Sequence, residues 1–198
     1  MEIGIIDYGA GNLRSVHKAV ETLEFPARIV KAPHELENLD ALILPGVGAF
    51  GDCVHHLHEQ QLWGPLQDWV KADRPYLGIC LGYQVLFESS EETPGVAGLG
   101  AFEGEVVRFP RSDLKVPHMG WNEIDFVNAN DPLWADLPPH PHVYFVHSFN
   151  PQPAGPSIIA STCDYGVKFA ASIRSGYVVA AQFHPEKSQK LGLQILGN

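Results

Sequence analysis

Short apolar runs alternate with amphipathic segments through the first half of the chain. Residues 3–6 are apolar and stop at a glycine-rich turn. Leu13, Val16 and Val20 then recur at the spacing of one helix face. Residues 41–44 form a continuous apolar run, which is typical of a strand buried on both faces of a parallel sheet. Strand, turn and helix in this order form the first half of a βαβ unit, so the pattern predicts a parallel α/β sheet.

The same pattern places further elements before residue 100. A short second strand is expected at 27–30. Residues 52–72 are expected to be helical, in two pieces broken near Gly64-Pro65. Residues 89–95 are polar and predict a loop.

From Gly104 the pattern changes to short alternating or apolar runs separated by Pro, Gly and Asn turns. Such runs predict partly antiparallel strands, and a last short helix is expected at 188–196. The predicted strands cover 105–109, 123–126, 143–146, 157–162, 169–173 and 177–183. No repeat or linker divides the sequence. One domain over residues 1–198 is therefore expected, α/β in class, with a mostly parallel central sheet, flanking helices and added antiparallel strands.

Composition limits the possible functions. The 198 residues are 45% hydrophobic and 18% charged, as in an ordinary globular protein. A net charge of −10 offers no basic stripe for phosphates, so non-specific binding of nucleic acid is not expected. No apolar run approaches the roughly 18 residues of a membrane span, and the N-terminus reads as a first strand and not a signal peptide.

The cysteines and histidines do not suggest a metal centre. Cys53, Cys80 and Cys163 are widely spaced and form no Cys-x-x-Cys pair, which fits a reducing cytosol with at most one reactive thiol. The neighbouring histidines at 55–58 point in different directions on a helix, so a solvated helix face is expected there.

One cysteine stands on a predicted turn between a strand and a helix. Cys80 follows the apolar run 75–79 and lies between Gly78 and Gly82, and an amphipathic helix is expected to start at Leu81. This order is that of a nucleophile elbow, in which glycines let the backbone crowd together while the side chain projects from the sheet edge. A buried structural cysteine at a strand end would show the same residues.

A cysteine nucleophile also needs a base and a group that orients the base. A second strand-like run, 178–183, ends at His184, and Glu186 two residues later can reach back to one ring nitrogen. The amide of Leu81 and the glycine loop 45–48 at a neighbouring strand end can donate to an oxyanion. An exposed His-Pro-Glu turn is the alternative for the tripeptide, but the three parts together favour acyl transfer.

The turn after the first strand, residues 7–12, contains Gly9 and Gly11. A dinucleotide-binding loop would need a third glycine and an acidic residue closing a second strand, and neither is present. The two remaining interpretations of residues 7–12 are a tight turn and a contact with a partner protein.

The sequence resembles the class I (triad-type) glutamine amidotransferases along its whole length. The motifs that carry the resemblance are Gly78-Ile79-Cys80-Leu81-Gly82-Tyr83-Gln84 and Gln182-Phe183-His184-Pro185-Glu186-Lys187-Ser188. The resemblance implies a flavodoxin-like α/β fold and a glutaminase that hydrolyses glutamine to glutamate through a thioester. The runs 117–122 and 144–148 are similar to the branch that gives ammonia to a cyclase in histidine biosynthesis.

The resemblance also implies roles for individual residues. Cys80 would be the nucleophile, His184 the base and Glu186 the group that orients it. Val47, Gly48 and Leu81 would form the oxyanion hole. The glutamine pocket would be lined by Gly46, Gly48, Gln84, Glu92, His147, Ser148 and Phe149. The family usually has Tyr at the position of Phe149, so a hydroxyl contact there is lost.

The implied partner is a separate cyclase subunit with a (β/α)₈ barrel, which forms a heterodimer with the glutaminase in the cytoplasm. The residues expected to face it are Asn12, Met119, Trp121, Tyr144 and Lys187. The resemblance implies no cofactor, no metal, no nucleic acid and no membrane. In this branch the glutaminase is nearly silent until the partner binds its nucleotide, and a Val47 amide that must turn toward the oxyanion would explain that silence.

Other interpretations stay open at this stage. An amidotransferase subunit for anthranilate, pyridoxal phosphate or guanylate synthesis would share the main motifs. A non-catalytic regulatory subunit could keep the same fold, although intact Cys80, His184 and Glu186 argue against it. A cysteine peptidase on the same elbow would cleave peptides and not free glutamine.

Overall fold

A computed structural model describes residues 1–198. The strands are β1 (Ile3–Ile6), β2 (Ala27–Val30), β3 (Ala41–Gly46), β4 (Tyr76–Cys80), β5 (Ser89–Ser90), β6 (Gly104–Arg108), β7 (His118–Glu123), β8 (Asp125–Phe126), β9 (His142–His147), β10 (Phe149–Pro153), β11 (Ile159–Asp164), β12 (Lys168–Ser175) and β13 (Val178–Ala181). The helices are α1 (Leu13–Thr22), α2 (Phe50–Glu59), α3 (Trp63–Lys71), α4 (Leu81–Gln84) and α5 (Gln189–Gly197). Short 3₁₀ helices cover Pro33–Leu36, Pro132–Trp134, Pro156–Ile158 and Pro185–Lys187.

An eight-stranded sheet forms the centre of the molecule, in the order β2-β1-β3-β4-β13-β12-β11-β8. The five strands from β2 to β13 are parallel, and the remaining three add in antiparallel fashion. The predicted fold class, a mostly parallel sheet with flanking helices and added antiparallel strands, is confirmed.

Both faces of the parallel strands are buried, as the continuous apolar runs predict. Leu42 and Leu44 of β3 lie in the larger core, with residues of α2 and α3. Ile43, between them, points to the opposite face and joins a smaller core with Val16 and Val20 of α1. Side chains that alternate across a strand thus supply two cores. None of the helices combines the length and apolarity needed to cross a membrane.

Two strands of the second half differ from the pattern-based expectation. The sequence predicts one strand at 123–126, whereas the structure has two there: Glu123 ends β7 (His118–Glu123), which pairs with β9, and Asp125–Phe126 form β8, which pairs with β11. The sequence predicts no strand at Phe149–Pro153, where β10 forms, because this segment contains two prolines. The strand forms because it is an edge strand that pairs with β6 on one side only. An edge strand needs fewer backbone N–H groups for pairing, so prolines, which lack an N–H, are tolerated there.

The break between the second and third helices also lies elsewhere than expected. The sequence places it at Gly64-Pro65, but α2 ends at Glu59 and α3 starts at Trp63. Gln61 turns the chain with a left-handed φ of 59°. Pro65 falls in the first turn of α3, where its missing N–H has no intrahelical partner to lose.

The helix after Cys80 is shorter than the sequence predicts. Its helical geometry ends at Gln84, after one turn. The carbonyl of Val85 accepts from Leu99 N at 2.7 Å, and the carbonyl of Leu86 accepts from Ala101 N at 2.9 Å. Because a returning segment takes these carbonyls, they are not available to continue the helix. The predicted loop at 89–95 likewise begins with the short strand β5, which pairs with β6.

The turn between β4 and α4 is packed against β3 with no room for a side chain at Gly82. A Cβ atom there would lie 1.8 Å from the carbonyl oxygen of Leu44, and one at Gly78 would lie 2.4 Å from the carbonyl oxygen of Gly82. The two glycines therefore permit the close approach that the sequence predicts, and the strand ends β3 and β4 meet at one edge of the sheet.

We expect Gly82→Ala to lower the free energy of unfolding by about 3 kcal/mol, because the new methyl group would overlap a backbone carbonyl that cannot move independently. Urea denaturation measures the change. Gly64→Ala is the matched control, since a Cβ at Gly64 in α3 meets no atom within 4 Å. Equal stability of the two variants would show that the turn has more room than the structure indicates.

Candidate active site

Cys80 lies at the end of β4 in a strained turn. Its φ of 54° and ψ of −101° are sparsely populated by residues other than glycine. The side chain is only 7% exposed, and the first turn of α4 starts at the next residue, Leu81. The structure thus places Cys80 and the Leu81 amide in the arrangement expected of a nucleophile elbow.

His184 follows β13, the strand beside β4, and its ring is held by Glu186. The Nδ1 atom of His184 donates to Oε1 of Glu186 at 2.9 Å, and both side chains are almost wholly buried. The His184 backbone is fixed as well: its amide donates to Tyr144 O at 2.9 Å. The hydroxyl of Ser188 donates to His184 O at 2.7 Å and accepts from Tyr144 N at 3.0 Å.

The second ring nitrogen of His184 is free to exchange a proton. Its Nε2 atom is buried and has no hydrogen-bond partner. Burial alone lowers the pKa of His184, but the Cys80 sulfur and the Glu186 carboxylate outweigh it and raise the pKa to about 9. The ring is therefore suited to accept the thiol proton and to remain charged beside a thiolate.

Gln182 contacts the sulfur, and sequence reasoning did not single it out. Its Nε2 lies 3.5 Å from Cys80 Sγ, and its Oε1 accepts from Gln84 Nε2 at 3.1 Å. Gln84 Nε2 also donates to Phe149 O at 3.0 Å. The signal was present in the sequence, because Gln182 and His184 are two positions apart on an extended segment and so share one face.

The loop after β3 lies directly beside the elbow. Gly46 pairs with Cys80 in the register of β3 and β4. The amide of Val47, however, donates to the hydroxyl of Tyr8 at 3.3 Å, and that hydroxyl donates to Val47 O at 3.4 Å. Gly48 has a left-handed φ of 103° and open space around its Cα. The loop is thus near the sulfur, with the Val47 amide engaged elsewhere.

Two residues predicted to line a glutamine pocket, Glu92 and Ser148, form hydrogen bonds with other parts of the chain. One carboxylate oxygen of Glu92 accepts from Phe50 N at 2.8 Å, which caps the start of α2 just after the glycine loop. Ser148 O accepts from Phe109 N at 3.1 Å.

Phe149 and His147 stand at the β9–β10 corner. The guanidinium of Arg108 lies 5.6 Å from the ring centroid of Phe149. His147 is buried, and Phe149 O accepts from its Nδ1 at 2.8 Å.

The ring of His147 belongs to a buried chain of hydrogen bonds with a single consistent set of tautomers. Because its Nδ1–H donates to a carbonyl, its Nε2 must accept, and His118 Nδ1 donates to it at 3.1 Å. His118 Nε2 then accepts from Asn122 Nδ2 at 3.3 Å. Burial lowers the pKa of His118 to about 4 and that of His147 to about 3. Both rings are therefore neutral, and both nitrogens of His147 are occupied.

Three of the residues expected to face a partner, Trp121, Tyr144 and Lys187, form a cluster next to His184. Met119 and Trp121 of β7 are 62% and 46% exposed. The rings of Trp121 and Tyr144 meet edge to face at 6.1 Å, and Lys187 Nζ lies 5.8 Å from the Tyr144 ring centroid. Asn12 precedes α1, which contacts the 3₁₀ helix Pro185–Lys187. The surface is apolar and aromatic, as protein interfaces are in their centre.

A group of possible metal ligands lies apart from this site. Ligand atoms of Glu123, Asp125 and His140 lie within 4.8 Å of one another, but the residues are exposed or half-exposed. His140 Nδ1 hydrogen-bonds with Asp125 Oδ1 at 2.8 Å, so an ordinary surface hydrogen bond accounts for the group.

The neutral histidine pair predicts a loss of stability in mild acid. In the unfolded chain histidines have a pKa of about 6.5, so they bind protons below that pH. In the folded chain His118 and His147 bind a proton only near pH 4 and pH 3, so the unfolded state gains more protons in mild acid. The free energy of unfolding should fall by about 1.4 kcal/mol per pH unit for each ring. His118→Asn keeps a donor beside His147 and should remove one ring's share of this slope between pH 6 and 4, measured by urea denaturation. Exposed His142 is the control, since His142→Gln should leave the slope unchanged. A His118→Asn slope equal to that of the unmodified chain would contradict the assignment.

Comparison with known proteins places the chain in a family. The family model described as "Glutamine amidotransferase class-I" matches residues 4–197. The chain is 46% identical over 199 residues to "Imidazole glycerol phosphate synthase subunit HisH" of Gloeothece citriformis, covering 99% of this chain and 93% of that protein. It is 48% identical over 202 residues to the protein of the same description in Syntrophotalea carbinolica, covering 99% and 98%.

Solved structures show the same fold at lower identity. A crystal structure described as a glutamine amidotransferase matches with a TM-score of 0.77 and 21% identity, covering 98% of this chain and 96% of that one. The PurLQS structure from Thermotoga maritima matches with a TM-score of 0.77 and 17% identity, covering 98% and 95%. Fold, site geometry and full-length match agree: the chain belongs to the class-I glutamine amidotransferase family.

Proposed function

We propose that this chain is the glutaminase subunit of an imidazole glycerol phosphate synthase, with Cys80, His184 and Glu186 as its catalytic residues. The observation that carries the proposal is the meeting of a strained cysteine turn and an oriented, buried histidine at adjacent strand ends. The relatives' printed name supports the assignment to this synthase.

In the first half of the reaction, the sulfur of Cys80 attacks the side-chain carbonyl carbon of glutamine, and the thiol proton moves to Nε2 of His184. The Glu186 carboxylate stabilises the imidazolium that forms. The Leu81 amide and an amide of the 46–48 loop donate to the oxyanion. The carbon–nitrogen bond then breaks, and the same proton leaves on the departing ammonia, so that a γ-glutamyl thioester remains on Cys80.

In the second half, a water molecule replaces ammonia. His184 takes a proton from the water, and the resulting hydroxide attacks the thioester carbonyl. The carbon–sulfur bond breaks, glutamate leaves, and the proton returns to the sulfur. Gln182, which lies 3.5 Å from Sγ, stabilises the thiolate as it forms and as it departs. Glutamine is expected in a pocket lined by Gly46, Gly48, Gln84, Glu92, His147, Ser148 and Phe149, with His147 contributing through its backbone.

The ammonia would pass to a cyclase subunit with a (β/α)₈ barrel, bound as a heterodimer in the cytoplasm. There it would be used to form imidazole glycerol phosphate and aminoimidazole carboxamide ribotide. The exposed aromatic cluster next to His184 supports a docking site at this edge of the sheet, because a partner seated there would lie beside the residues proposed to release ammonia.

The nucleophile can be tested with a matched pair of cysteine variants. Cys80→Ala should lower glutaminase turnover in the partner-bound state by at least about a thousandfold, because no thioester can form. Cys163→Ala is the control, since Cys163 is also a buried free cysteine but lies in a separate core cluster, and its thiol donates to the carbonyl of Asp164. Glutamate release is measured with and without the cyclase and its nucleotide. Retained turnover in Cys80→Ala would reject the mechanism, and absence of glutamate from the unmodified complex would reject the proposed function.

The docking surface can be tested by removing one aromatic side chain. Trp121→Ala should weaken binding of the cyclase by about 2 kcal/mol, or about thirtyfold in Kd, as is usual for a central aromatic residue. The free chain should keep its stability because Trp121 is 46% exposed. Val127→Ala, at another exposed apolar residue, should leave Kd unchanged. Titration calorimetry gives both values, and equal Kd for the two variants would place the interface elsewhere.

A further inference from the structure

A series of hydrogen bonds runs from the side chain of Asn122 on β7 to the β9–β10 corner. Asn122 Oδ1 accepts from Glu123 N at 2.8 Å, which fixes the orientation of the amide group. Its Nδ2 donates to Asp164 O at 2.9 Å and to His118 Nε2 at 3.3 Å. Because an amide nitrogen can only donate, His118 carries its proton on Nδ1. Asn122 therefore sets the direction of the hydrogen bonds that follow.

Packing holds the ring of His118 in the orientation that this series needs. The ring stacks on the rings of Phe145 and Tyr165, with centroid distances of 4.7 and 3.9 Å. Tyr165 is itself fixed, because its hydroxyl donates to Lys115 O at 2.8 Å. His118 Nδ1 lies 3.1 Å from His147 Nε2, and both residues are buried. His118 thus supplies the donor that the buried Nε2 of His147 requires.

Aromatic side chains surround the two imidazoles. The ring centroid of Phe109 lies 6.2 Å from that of His118 and 5.1 Å from that of His147, and the Phe169 centroid lies 6.0 and 5.3 Å from them. In such surroundings two apolar rings would leave no polar atoms to satisfy, whereas each imidazole brings two nitrogens that need partners. Packing alone therefore does not account for histidine at these positions. A directed donor that reaches Phe149 O does.

The carbonyl of Phe149 is the point at which the series meets the predicted glutamine pocket. It accepts from His147 Nδ1 at 2.8 Å and from Gln84 Nε2 at 3.0 Å. Gln84 Nε2 also donates to Gln182 Oε1 at 3.1 Å, so both of its N–H groups are used. Gln84 Oε1 has no hydrogen-bond partner in the chain and keeps contact with solvent. The side chain is thereby oriented with its acceptor open to a bound molecule.

We propose that His118 is a positioning residue that, through His147, holds the Phe149 carbonyl and hence the Gln84 side chain in the orientation that binds glutamine. The inference rests on the proposed function and adds a residue that acts on the same site without touching the substrate. Its effect falls on substrate binding, because neither histidine forms a hydrogen bond with a catalytic residue. Loss of the donor at position 118 leaves the buried Nε2 of His147 unpaired and loosens the hold on Phe149 O.

His118→Phe keeps a stacked ring and removes the donor to His147. In the complex with the cyclase and its nucleotide, we expect KM for glutamine to rise about fivefold, the factor set by the net contribution of one hydrogen bond. The kcat should stay within about twofold, as for a contact made equally with substrate and transition state. His118→Asn supplies an amide N–H in place of Nδ1–H and should return KM to within about twofold of the unmodified chain. Equal KM in His118→Phe and the unmodified chain, or no rescue in His118→Asn, would overturn the proposal.

The far end of the series offers an independent variant. Asn122→Asp has the same shape but presents only acceptors, so His118 has to carry its proton on Nε2 and can no longer donate from Nδ1. KM for glutamine should again rise about fivefold. Asn128→Asp is the matched control, because Asn128 is exposed and its side-chain oxygen accepts from Asn130 N at 3.1 Å, outside the series. Equal KM in Asn122→Asp and Asn128→Asp would contradict the proposal.

Two measurements do not depend on turnover. Nitrogen-15 NMR of the free chain at neutral pH should show the proton of His118 and of His147 on Nδ1, and a proton on Nε2 of His147 would overturn the proposal. Calorimetry of the Cys80→Ala complex should show the Kd for glutamine rising about fivefold when His118→Phe is added. If the unmodified complex releases no glutamate but the Cys80→Ala complex binds glutamine, the proposed function fails and the ratio of the two Kd values still decides the inference. Absence of glutamine binding from every complex would overturn both.

Discussion

The close approach of α4 to β3 is the constraint on which the rest of the site depends. Gly82 lies against the carbonyl of Leu44 with no space for a Cβ atom, and this contact fixes the turn that carries Cys80. The turn holds Cys80 at a φ of 54°, a conformation that costs about 1–3 kcal/mol and persists only where the surroundings enforce it. The buried faces of β3 and β4 provide that enforcement, because both strands lie in the middle of the sheet.

Once the elbow is fixed, the neighbouring strand ends determine what surrounds the sulfur. Gly46 of β3 stands level with Cys80, and the extension of β13 brings Gln182 and His184 to the other side. The Gln84–Gln182 hydrogen bond ties α4 to that extension, so Cys80 and His184 are held to one another and not only to the sheet. The residues around the sulfur are therefore held on adjacent strands of one sheet.

Features decided by local sequence were predictable, and features decided by tertiary pairing were not. The elbow and the His184–Glu186 contact were expected because glycine spacing and an i, i+2 pair act over a few residues. The strand β10 was missed because its prolines are tolerated only at an edge, and the edge exists only in the folded sheet. The His118–His147 pair joins residues 29 positions apart, and the Tyr8–Val47 contact spans 39, so neither leaves a periodic signal.

The proposed mechanism requires that Cys80 form a covalent γ-glutamyl intermediate. The most direct measurement is a rapid acid quench of the complex with radiolabelled glutamine, followed by proteolysis and mass spectrometry. A thioester on Cys80 should leave label on the peptide that contains Cys80, lost on treatment with hydroxylamine, and no label on the Cys53 or Cys163 peptides. Glutamate formation during turnover without label on Cys80 would contradict it.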